Sequence, residues 1–121
     1  MILGRLTFYN TLGEELATLN TIERTETIFD RMRGLLGKKY LDDESGLWIV
    51  PCNAIHTFGM KFPIDLIYFD KNLKIIGLKN SINSKRFSML VKAKSVLEIR
   101  EHMLNELNIK KSCYAKWNPY S

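Results

Sequence analysis

Cys52, Asn53, His56 and Thr57 are the side chains of this sequence best suited to chemistry, and they crowd into one short stretch. A thiol becomes a nucleophile when a neighbouring base takes its proton, and imidazole is the usual base, so Cys52 and His56 are candidates for nucleophilic catalysis. An amide and a hydroxyl, as in Asn53 and Thr57, are instead the groups that orient a bound ligand. Two considerations weigh against catalysis. Side chains four apart need not meet outside a helix, and no third orienting group or oxyanion motif accompanies the pair. Metal chemistry has still less support. Cys52, Cys113, His56, His102 and Asp65 lie in separate segments without paired ligand spacing, so no metal and no cofactor is expected.

These residues sit inside the block 47–70, which carries only Lys61 and Asp65 as formal charges before the closing Asp70. A stretch this apolar must be largely buried, so each polar group in it needs a partner or a task. The run from Phe62 to Phe69 reads as the strongest strand of the chain, rich in β-branched and aromatic residues. Phe62, Ile64, Leu66 and Tyr68 then share one face, and Asp65, Ile67 and Phe69 the other. A carboxylate among such neighbours calls for a compensating group. Arg31 and Arg33 are the natural candidates, which makes a structural Asp65–arginine clamp the leading reading of Asp65. Trp48, Phe58 and Met60 are read as core or as the floor of a pocket.

The rest of the chain must position that block. Alternation over 2–9, a turn at 11–14 and a returning strand over 16–22 make a first hairpin. The period then changes: Ile28, Met32, Leu35 and Leu36 recur at helical spacing, with Thr25 as N-cap and Gly37 as terminator, predicting a main helix over about 25–36. A short strand over 47–50 stops at Pro51, and 52–60 is irregular. The turn 70–72 joins 62–69 to a strand over 73–78 in a second hairpin, and 80–90 reads as a loop. A strand over 95–99, a short second helix over about 101–107 and a closing strand over 113–117 complete the chain. About seven short strands with these helices predict an α+β fold, a small antiparallel β-barrel-like domain spanning 1–121 as one unit.

A chain of 121 residues suits one compact core, and its composition is that of an ordinary soluble globular protein. The N-terminus resembles a first strand rather than a secretory leader, and no apolar run is long enough to span a membrane, so a cytoplasmic location is expected. Two cysteines in such a compartment are expected as thiols. The net charge of +5 is uneven, because residues 71–97 hold seven basic residues and no acidic one. That surface could steer an anionic partner. Only Phe87 interleaves with the basic residues of this segment, so nucleic acid is not the expected partner.

Three blocks resemble one known family. Arg31-Met32-Arg33-Gly34-Leu35-Leu36, the run from Pro51 to Asp65 and Val96-Leu97-Glu98-Ile99 resemble, in order and spacing, the DUF192 (UPF0127) family of uncharacterised proteins. The resemblance implies a compact β-rich domain with a packed helix and leaves the activity open. Family members usually place a small residue and Gly after the Val-Leu-Glu block, and Gly-Asp before the last strand. Here those places read Glu101-His102 and Ser112-Cys113. The reading that follows is a non-enzymatic domain that binds a small molecule or peptide at the 52–60 loop, using Asn53, His56, Thr57, Trp48, Phe58 and Met60. The alternatives are a Cys52/His56 enzyme and an accessory protein acting through the basic 71–94 surface.

Overall fold

The computed structural model describes residues 1–26 and 41–121. Among them are nine strands: β1 (Ile2–Tyr9), β2 (Glu15–Thr25), β3 (Ser45–Ile49), β4 (Ala54–His56), β5 (Ile64–Phe69), β6 (Ile75–Ile82), β7 (Phe87–Met89), β8 (Ser95–Arg100) and β9 (Tyr114–Pro119). The one described helix is α1 (Met103–Leu107). Seven strands form one sheet in the order β6-β5-β8-β3-β2-β1-β9, and β4 and β7 make a separate two-stranded ribbon. The large sheet curls until its edges meet at one end. Lys74 bridges Tyr114, and the Ala115 N–H donates to the Leu73 carbonyl at 2.9 Å. The result is the β-barrel-like fold expected from the sequence.

Several details depart from expectation. The sheet is not wholly antiparallel, because β2 and β3 run parallel from Thr21↔Ser45 to Thr25↔Ile49. A parallel pair needs a connection of a dozen or more residues, and residues 26–44 separate the two strands in sequence. Thr25, expected to cap the main helix, is instead the last, buried residue of β2, and its carbonyl accepts the Val50 N–H at 2.9 Å. The rest of that expected helix, with Arg31 and Arg33, lies in 27–40, outside the described residues. The short second helix is present as α1. Strands β4 and β7 arise in segments expected to be irregular.

Alternation along β5 is what builds the interior. Ile67 and Phe69 point to a core inside the curl that draws on every strand of the large sheet and on Met103, Leu104 and Leu107 of α1. Ile64, Leu66 and Tyr68 point the other way, to a second core with Leu47, Ile49, Ile55, Met60 and Val96. All six residues of β5 are therefore buried, as a strand covered on both faces requires. Glycine is needed at Gly46, where a Cβ would lie 2.9 Å from the Glu98 carbonyl oxygen and 3.0 Å from Ile22.

Two turns near the end of the chain have a glycine-like backbone without a glycine. His102 has φ 76° and Ser112 has φ 82°, both in the left-handed region that L side chains enter at a cost. Beside His102, Arg100 ties the end of β8 to its surroundings, with ion pairs to Asp43 at 2.7 Å and Glu106 at 2.6 Å. Partial burial opposes the guanidinium charge, but the bond to Glu106 and the charge of Asp43 outweigh it and hold the group firmly protonated.

Candidate functional site

Outside the curl, the β4–β7 ribbon lies over the second core. Its pairing sets His56 opposite Phe87, Ile55 opposite Ser88 and Ala54 opposite Met89. Ile55 and Ser88 are buried, Ala54 and His56 are half-buried, and Phe87 and Met89 are exposed. Ser88 is buried for a reason: its Oγ lies 2.6 Å from the buried Tyr68 hydroxyl, pinning the ribbon to β5. Burial pushes the Tyr68 phenol up, a rise that the Ser88 bond reduces and the nearby Cys52 and Glu98 reinforce. Glu98 is itself fully buried on this face, between Leu47 and Leu66 of the flanking strands.

Between the ribbon and the end of β3 is a cavity of about 300 Å³ lined by Ile49, Pro51, Ala54, Ile55 and Phe87, with Glu26, Cys52 and His56 as its polar members. That is at the small end of ligand pockets, which are typically ~300–1,000 Å³ and mostly apolar with a few polar groups. β3 ends at Ile49, just before Pro51, and the Cys52 N–H then donates to the Lys94 carbonyl at 3.0 Å, tethering the start of the segment that leads into β4. Glu26 is paired with Arg24 at 3.6 Å. Cys52 donates its S–H to the Ala54 carbonyl at 3.0 Å. Cys52 and Cys113 are not joined by a disulfide; Cys113 is buried in the core inside the curl.

The residues expected at the site divide into three groups. His56 and Cys52 line the cavity together, while Asn53 borders a neighbouring recess with Cys52, Ala93 and Lys94. Phe58 is exposed, its ring centroid 5.7 Å from that of His56. Thr57, Met60 and Trp48 are buried and are not among the described residues lining the cavity. The Thr57 hydroxyl donates to the Asn83 carbonyl at 2.5 Å and accepts the Arg86 N–H at 2.9 Å, fastening loop 83–86. Trp48 packs on the other face of the sheet, against Trp117 and under the Arg24 guanidinium.

Asp65 is fully buried, and its carboxylate accepts two backbone N–H groups, from Ser81 at 2.9 Å and Leu104 at 3.1 Å. Its expected partners Arg31 and Arg33 lie outside the described residues. Ile49, Ala54, Ile55 and Phe87 were not legible as a wall, although Phe87 stands out in the sequence as the aromatic residue of a basic segment. Among the described residues, no group of three or more His, Cys, Asp or Glu side chains converges to hold a metal ion.

This architecture has solved relatives. A protein of unknown function from Novosphingobium aromaticivorans DSM 12444 is similar with a TM-score of 0.81 and 19% identity, covering 95% of this chain and 85% of that one. A proposed transcription regulator from Sinorhizobium meliloti 1021 is similar with a TM-score of 0.83 and 14% identity, covering 95% and 93%. At these identities the likeness concerns the fold alone. No curated protein matches the chain. The model of DUF192, described as "Uncharacterized ACR", matches residues 9–117. The chain therefore belongs to the DUF192 family, whose function is unknown.

Proposed function

We propose that the protein is a binding domain whose cavity between β3 and the β4–β7 ribbon receives a small apolar molecule or the apolar side chain of a peptide. The observation that carries this reading is the wall itself: among the described residues, five apolar ones line about 300 Å³ beside one thiol, one imidazole and one carboxylate. Apolar walls supply affinity by releasing water, and a few polar groups at the rim fix orientation. Ligand-observed NMR with small aromatic and branched aliphatic compounds tests it. Saturable binding that Ala54→Trp abolishes by filling the cavity supports the reading. Absence of binding across such a panel, or binding indifferent to Ala54→Trp, contradicts it.

Because Cys52 and His56 line the same cavity, thiol chemistry is the second reading. The Cys52 thiol already donates to Ala54, which favours the first. Iodoacetamide separates them. A binding domain alkylates at Cys52 no faster than an ordinary thiol, whereas an enzyme's thiol reacts fast and slows in His56→Ala.

A further inference from the structure

On the β4–β7 ribbon and the segments that flank it, large apolar side chains stand in water. Phe58, Phe87, Met89 and Val91 are 54%, 65%, 50% and 73% exposed. They are neighbours for identifiable reasons. Thr57 fastens 83–86 beside Phe58 through its hydroxyl and through its N–H, which donates to the Arg86 carbonyl at 2.9 Å. The ribbon carries Phe87 and Met89 on its outer face, opposite His56 and Ala54. The Leu90 N–H donates to the Asn53 carbonyl at 2.9 Å, holding Val91 at the ribbon's other end.

Exposed cations accompany them: Lys61, Lys85, Arg86, Lys92 and Lys94. Neither 52–61 nor 83–94 contains an acidic residue. Among the described residues lining the cavity, the carboxylate is Glu26, and it is paired with Arg24. Apolar tips interleaved with cations suit a surface that is anionic outside and apolar beneath. Phosphate or base stacking gives Met89 and Val91 nothing, whereas acyl chains take up all four side chains.

We propose that this surface docks on an anionic lipid bilayer. Phe58, Phe87, Met89 and Val91 enter the boundary between headgroups and acyl chains, and the lysines and Arg86 lie against headgroup phosphates. Peripheral docking of this kind needs no spanning helix, and among the described residues no helix is long and apolar enough to cross a membrane.

Co-sedimentation of the full chain with phosphatidylcholine vesicles, with and without phosphatidylserine, tests the proposal. Binding is expected only with phosphatidylserine and weakens as salt rises. It falls roughly tenfold in Phe87→Ser/Met89→Ser and again in Lys85→Glu/Arg86→Glu. These side chains are exposed, so each variant should keep the wild-type thermal midpoint. Failure to bind phosphatidylserine vesicles overturns the proposal. So does binding that survives Phe87→Ser/Met89→Ser unchanged, which would be charge attraction alone. Tighter binding to a single-stranded oligonucleotide than to the vesicles would assign the surface to nucleic acid and overturn it equally.

Discussion

The carboxylate of Asp65 in β5 accepts the backbone N–H of Leu104 in α1 at 3.1 Å, so a fully buried acid anchors the helix that packs inside the curl. Its second oxygen holds Ser81, which has φ 52° near the end of β6, through the N–H at 2.9 Å. One side chain therefore fixes a strand irregularity and a helix start, each of which would otherwise leave a donor unsatisfied. Asp65→Asn keeps one acceptor oxygen but turns an amide NH₂ towards a backbone N–H. We expect it to lose about 1.5–3 kcal/mol of stability, the range for hydrogen bonds to a charged group. Urea denaturation measures this, and a variant as stable as wild type would refute the anchoring role.

His102 and Ser112 occupy left-handed backbone at φ 76° and 82°, a region where glycine alone is unstrained. A side chain there costs about 1–2 kcal/mol, while glycine returns part of that through the greater freedom of the unfolded chain. His102→Gly and Ser112→Gly should each stabilise the protein by roughly 0.5–1 kcal/mol. Thermal melts of the two variants check this; a lowered midpoint in both would show that the side chains compensate for the strain.

Tyr68 links stability to pH. Its phenol is raised above the ordinary value of 10.0, so the folded protein keeps that proton where the unfolded chain loses it. Stability due to Tyr68 is fully present below pH 10.0 and falls as the pH rises beyond it. Tyr68→Phe leaves Ser88 without this partner and should cost about 1 kcal/mol at neutral pH. Above pH 10.0 the gap between variant and wild type should narrow. Urea unfolding on both sides of that pH tests it, and a constant gap would contradict the linkage.

What the sequence showed of this fold, and what it hid, both follow from burial. In β5 the alternation of Ile64, Leu66 and Tyr68 with Asp65, Ile67 and Phe69 is legible because the strand is covered on both faces. In β7 the pattern is inverted: Ser88 is buried by its bond to Tyr68 while Phe87 and Met89 are exposed. A hydropathy reading therefore takes 80–90 for a loop, and loses with it the ribbon that forms one wall of the cavity. Thr25 shows a different limit, since a threonine before an acidic residue suits a helix N-cap and a strand end equally well. Of the candidate site, Cys52 and His56 were legible as polar residues in an apolar block. Thr57 was legible only as polar, and its task of fastening 83–86 depends on a partner far along the chain.

The central claim is that the cavity beside His56 receives an apolar ligand, and protein-observed NMR tests it most directly. Amide spectra recorded during titration with indole should show saturable shifts concentrated at Ile49, Cys52, Ala54, Ile55, His56 and Phe87, and none of these in Ala54→Trp. Shifts scattered over the surface, or a spectrum unchanged by indole and by every other compound of the aromatic and aliphatic panel, would contradict it.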